Sequence, residues 1–138
     1  MRAGTLIFVV ILATVGLAPT VGGHGIDVPL SQPFDLKIGE QVTIAGQDLE
    51  LQFSEVLSDS RCPRNAQCFW AGAATIRIAV EKKPDRRETF TLRLPNSDER
   101  VAYGRYSISL KDLKPYPEAG RQQRREDYVA TLVVTLAE

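Results

Sequence analysis

Among its 138 residues the chain has one histidine, one methionine, one tryptophan and two cysteines. With His24 as the only imidazole, a Ser-His-Asp arrangement would require a residue at the start of the mature chain to reach Ser60 and Asp59, so nucleophilic catalysis of that kind is not expected. The two cysteines, Cys62 and Cys68, are spaced unlike the short pairs of structural zinc sites. With no second pair and no further histidine, four ligands cannot be assembled. A glycine-rich phosphate loop after a strand and a dinucleotide fingerprint are both absent. Charge of one sign is lacking too, since 17 basic groups face 17 acidic ones. Such a chain has no general attraction to nucleic acid or to an anionic membrane. There is no internal repeat, low-complexity tract or second-domain linker.

Long hydrophobic runs are also missing. The most apolar stretch, Leu6 to Leu17, is shorter than the about 20 residues that a membrane helix needs. It follows Met1-Arg2 and precedes small residues and Pro19, which is the plan of a cleavable secretory signal. Small residues at Val21 and Gly23 place the cleavage after residue 23, with the bond one residue earlier as the competitor. The reading is therefore a signal peptide over 1–23 and a single domain over 24–138, secreted or periplasmic, with no membrane span in its mature form. Loss of 23 residues leaves 115, enough for one hydrophobic core, with a formal charge of −1. Outside the cytoplasm two cysteines pair, and two allow only one connectivity. Closing a ring of about seven residues contributes roughly 2.4 kcal/mol in the chain-entropy model, which fixes a loop and not a fold.

The mature chain is dominated by a period of two, the mark of strands with one face on a core. Phe34, Leu36 and Ile38 alternate, as do Val42 and Ile44, then Leu49, Leu51 and Phe53. Ile76, Ile78 and Val80 lead through a turn at Lys83-Pro84-Asp85 to Phe90, Leu92 and Leu94, a hairpin. The phase changes across Gly104, between Tyr103 and Tyr106, so a bulge or bend is expected there. The last strand, from Tyr128 to Leu136, is apolar at even positions and adds Val129 and Val133, as a strand covered on both faces would. Residues 115–127, with two prolines and the run Arg121-Gln122-Gln123-Arg124-Arg125, read as a long exposed loop. The expected fold is all-β: an antiparallel sandwich, or a small barrel, of about seven to eight strands with one disulfide-braced loop.

That loop, Asp59 to Gly72, holds both cysteines and the only tryptophan. Cys68, Trp70, Gly72, Ala74, Ile76 and Ile78 share a parity. A strand starting at Cys68 would send Trp70 into the core beside the disulfide and Phe69 outward. Asp59, Arg61, Arg64 and Phe69 are the candidate binding residues. Upstream, the alternation that ends at Phe53 would carry Glu55 inward. Either a bulge lies near Ser54, or Glu55 is buried and needs a cation, with Arg61 the nearest in sequence. Glu55 and Asp59 form a carboxylate pair of the kind used in glycoside hydrolysis, but acids around a turn are usually solvated or structural. Gly22-Gly23-His24 would suit copper only after cleavage behind Val21. Asp98-Glu99 is explained as a polar turn without an ion.

The string Asp59-Ser60-Arg61-Cys62-Pro63, four residues, then Cys68, Phe69 and Trp70-Ala71-Gly72 resembles the signature of a family of small secreted bacterial proteins to which no function is assigned. The resemblance covers about a tenth of the chain. It implies a bacterial, extracytoplasmic setting and a paired Cys62 and Cys68, and no activity to carry over. The expected function is therefore non-enzymatic, without cofactor: a binding or structural module of the cell envelope. The alternative is an inhibitor of a secreted hydrolase, in which the braced ring offers Arg61 or Arg64 as anchor. The two readings part on whether those arginines project into solvent or fold back onto carboxylates.

Overall fold

The computed structural model describes residues 25–95 and 99–137. The export signal read over residues 1–23, the mature terminus at His24 and Asp98 of the acidic pair lie outside the described residues. Among the described residues nine strands form two sheets that face each other, a sandwich and not a closed barrel. They are β1 (Ile26–Val28), β2 (Phe34–Lys37), β3 (Gln41–Ile44), β4 (Leu49–Asp59), β5 (Ala74–Lys82), β6 (Glu88–Leu94), β7 (Arg100–Tyr103), β8 (Tyr106–Lys114) and β9 (Val129–Leu136). One sheet runs β1-β3-β4-β5-β6 and the other β2-β9-β8-β7. Every pairing is antiparallel except β1 with β3. No helix among the described residues is long and apolar enough to cross a membrane.

The alternation places the core. Leu49, Leu51 and Phe53 on β4 and Ile76, Ile78 and Val80 on β5 are fully buried. They face Ile108, Leu110 and Leu113 of β8 and Ala130, Leu132 and Val134 of β9 within one cluster. The phase change at Gly104 is a hairpin turn, with Tyr103 paired to Tyr106 and Gly104 at a positive φ. The last strand differs from its reading. Its even positions are buried from Ala130 to Val134, but its odd positions are only half-buried. Val129 and Val133 are explained by its place inside the sheet, between β2 and β8. They are not covered by a further layer.

A bulge, not a buried acid, resolves the alternatives at Glu55. The register of β4 on β5 slips between Phe53 and Glu55 and again between Val56 and Ser58. Glu55 is thereby turned outward and meets Arg77 at 2.9 Å on the surface. Arg61 is not its partner. The slips carry the end of β4 to the rim of the sandwich, where the braced loop leaves.

Candidate functional site

The braced loop is the irregular end of the β4–β5 hairpin. Beyond the last regular pair, Asp59 with Ala74, the Ser60 N–H donates to the Ala73 carbonyl at 2.7 Å and the Cys62 N–H to the Ala71 carbonyl at 2.9 Å. The Ser60 hydroxyl also bonds the Ala73 backbone. The two arms of the loop come close together at Gly72. A Cβ there would stand 1.8 Å from the Ser60 carbonyl oxygen, and φ is +69°. Only glycine fits both the space and the left-handed backbone.

Cys62 pairs with Cys68, their Cα atoms 5.9 Å apart, in line with one connectivity for two cysteines. Cys62 is thus tied to residue 68 by a covalent bond and to residue 71 by a backbone hydrogen bond. Phe69 and Trp70 form a two-residue bend with both flanks fixed to the same residue. Phe69 is fully exposed, at 101%, and Trp70 is exposed at 85%. Phe69 points outward as expected, but the inward placement of Trp70 is corrected. The parity argument required a strand from Cys68, whereas β5 begins at Ala74, and the left-handed Gly72 breaks the alternation before the strand starts.

Asp59 and Arg61 are corrected as well, from partner-facing residues to the foundation of the loop. Their side chains are 7% and 6% exposed. Arg61 donates from Nε to Asp59 Oδ1 at 2.8 Å and from Nη2 to Asp59 Oδ2 at 2.7 Å, a fork-on-carboxylate pair. Its remaining donors reach the carbonyls of Leu113 at 2.6 Å and Pro115 at 3.0 Å. Its guanidinium carbon lies 4.7 Å from the centroid of the Tyr116 ring. Arg61 therefore ties the end of β4 to the end of β8 and to the start of the 115–127 loop. Arg64 behaves differently: its side chain is exposed and lies over the same Tyr116 ring, 5.2 Å from the centroid.

Electrostatics follow from this burial. Burial by itself pushes the Asp59 carboxyl up. Hydrogen bonds and charge from Arg61, with a bond from Tyr128, outweigh it and hold Asp59 below the ordinary carboxylate value. Burial likewise pulls Arg61 down, and Asp59 more than restores it. The Tyr128 hydroxyl is pushed up to about 12, first by burial and then by the neighbouring Asp59 charge. It stands 3.1 Å from Asp59 Oδ2 and 2.7 Å from Gln123 Oε1, so one proton serves two acceptors.

Although much of its surface is exposed, the 115–127 loop is not a free excursion. The Pro117 carbonyl accepts from the Arg64 N–H, and Asn65 bonds Ala119 through both ends of its amide. Gln123 donates to Pro115. This loop is docked on the braced loop and props its base. The pairing of the two loops was not legible in the sequence, because the side chains of Arg61 and Asn65 reach residues 54 positions away and meet there only backbone groups, which any residue carries.

Among the described residues no three His, Cys, Asp or Glu side chains come together to hold a metal ion. The arrangement offers chemistry of another kind: two apolar rings exposed at a bend on a fixed base, with one exposed cation, Arg64, on the same loop. No protein-family model, curated protein or solved structure that was compared matches the chain.

Proposed function

We propose that the chain is an extracytoplasmic binding module of the bacterial cell envelope, with no catalytic site, that engages its partner through Phe69 and Trp70. The observation that carries this reading is their exposure at a clamped bend, at 101% and 85%. Leaving two large rings in water forgoes about 1.5–3 kcal/mol of burial for a side chain of phenylalanine's size. Here a disulfide and a backbone hydrogen bond keep them out. Exposed apolar residues in such a setting mark interaction sites, and tryptophan, tyrosine and arginine are the types that dominate binding energy. Arg64, stacked on Tyr116, is exposed on the same loop. The export signal over residues 1–23, the paired cysteines and the resemblance to small secreted bacterial proteins support the compartment.

Inhibition of a secreted hydrolase is favoured as the second reading by the rigid base of the loop, because ordering entropy is not lost again on association. Its anchor changes. Arg61 is consumed inside the protein, leaving Arg64 and the rings. The test is retention of envelope and culture-fluid proteins on the immobilised mature domain, against a Phe69→Ala/Trp70→Ala variant of equal stability. Species held by the wild type and released by the variant support the proposal. Equal retention by both would move binding away from the loop.

A further inference from the structure

The two arms of the braced loop are held by different means. On the N-terminal arm the Arg64 N–H donates to the Pro117 carbonyl at 3.0 Å, and the Ala66 N–H to the Pro63 carbonyl at 3.1 Å. Asn65 bonds Ala119 through both ends of its amide. On the other arm the Ala71 carbonyl accepts from the Cys62 N–H. Between Ala66 and Ala71, residues 67–70 make no hydrogen bond or ion pair within the described residues. Their tether is the bond from Cys68 to Cys62.

That bond lies at the surface. Cys68 is exposed and Cys62 half-buried, and both line a hollow of about 620 Å³ with Ala66, Gln67 and Phe69. The ring encloses Arg64, whose exposed side chain forms no ion pair among the described residues, and no acid occurs between Ser60 and Val80. Partial exposure and a neighbouring cation favour the thiolate, the form in which a cysteine leaves or attacks. The Cys62 sulfur also lies 3.6 Å from the Ala66 carbonyl oxygen and 3.7 Å from that of Pro63. A disulfide has no proton to give them. A Cys62 thiol is a weak donor, so the reduced state finds acceptors already in place.

We propose that Cys62–Cys68 is a thiol-exchange site, reduced by a dithiol that attacks the exposed Cys68 sulfur, and that its opening releases residues 67–70 while the sandwich stays folded. The attacking thiolate forms a mixed disulfide with Cys68 as the Cys62–Cys68 bond breaks, and Cys62 leaves as a thiolate and takes a proton. The second thiol of the reductant gives up its proton and attacks its own mixed disulfide. Cys68 is then released as a thiol and the reductant departs as a disulfide. Two electrons and two protons pass to the protein. Exposed disulfides are the exchangeable kind. The buried core and the Arg61 contacts do not involve this bond. The inference does not depend on the binding reading, because exchange is measurable whether or not the rings meet a partner.

The test uses the disulfide-intact chain and dithiothreitol, with free thiols alkylated at intervals and counted by intact mass. The native chain should be reduced at a rate within about tenfold of the same chain in concentrated urea. Slower native reduction means that the bond is reached only through unfolding, and overturns the proposal. Brief exposure to glutathione, an acid quench and peptide mapping should find the adduct on Cys68. An adduct confined to Cys62 overturns the assignment of the attacked sulfur. The Cys62→Ser/Cys68→Ser variant, which mimics the reduced state, should still unfold cooperatively. Chymotrypsin should cut it after Phe69 or Trp70 at least about tenfold faster than the oxidised protein. Loss of cooperative unfolding would make the bond a staple of the fold, and unchanged cleavage would remove it as the tether; either overturns the release.

Discussion

At the scale of single residues, Asp59 and Arg61 do the structural work of the loop, and Phe69 and Trp70 do none of it. Asp59→Asn keeps the shape and leaves Arg61 as a buried charge without its counter-ion. The expected loss is about 3–5 kcal/mol, a large share of the roughly 5–15 kcal/mol available to a domain. Urea unfolding measures it, with equal slopes required of both proteins. Phe69→Ala and Trp70→Ala should each change stability by less than about 0.5 kcal/mol, because neither ring is packed. A loss of several kcal/mol in the tryptophan variant would mean that the indole is buried. The contrast between the pairs was not legible in the sequence. Two arginines, Arg61 and Arg64, and two aromatics, Phe69 and Trp70, lie in one irregular stretch without a period, and only the path of the backbone decides which of them turn inward.

At the scale of elements, period two was reliable wherever a strand was regular and failed where it was not. Ile76, Ile78 and Val80 are buried as their parity requires. Extending that parity back to Trp70 fails at Gly72, where the φ of +69° reverses the chain. The bulges in β4 were half legible, since the alternation that ends at Phe53 allowed either a slip near Ser54 or a buried Glu55; the register shows the slip. The short β1, in parallel contact with β3, was missed because Ile26 and Val28 give too brief a pattern. Gly72→Ala tests the hairpin base. The left-handed backbone costs about 1–2 kcal/mol for any other residue, and the Cβ meets the Ser60 carbonyl oxygen as well. The expected loss therefore exceeds about 2 kcal/mol. Gly46, at φ +72° with nothing within 4 Å, is the control: Gly46→Ala should cost only the conformational part. Equal losses at the two positions would mean that the close approach to Ser60 is absent.

At the scale of the whole molecule, the buried cluster at the rim links stability to pH on both sides of neutrality. Asp59 has a lowered value in the fold. Its contribution is present above the ordinary aspartate value of about 3.9 and is lost as pH falls through the folded value. Tyr128 has a raised value, about 12 against 10.0. Its contribution is complete below about 10 and is lost as pH rises towards 12. Unfolding midpoints across the pH range should show both limbs, with Tyr128→Phe flattening the alkaline one and Asp59→Asn the acid one. A pH profile unchanged by either substitution would contradict the linkage. The all-β class, as a sandwich or a small barrel, the alternating core residues of the regular strands and the braced loop were legible from alternation and cysteine count, while Trp70 was wrongly read into the core. The docking of the 115–127 loop was not legible, since it rests on main-chain groups and on the reach of the Arg61 and Asn65 side chains. The most direct test of the central claim, that the aromatic bend stands in water on a fixed base, is the fluorescence of Trp70, the only indole in the chain. The native, disulfide-intact protein should emit at the wavelength of fully hydrated indole. Acrylamide should quench it nearly as readily as in denaturant. Emission shifted to the blue in the native state, with protection from acrylamide that unfolding removes, would place the ring in the core and contradict the account.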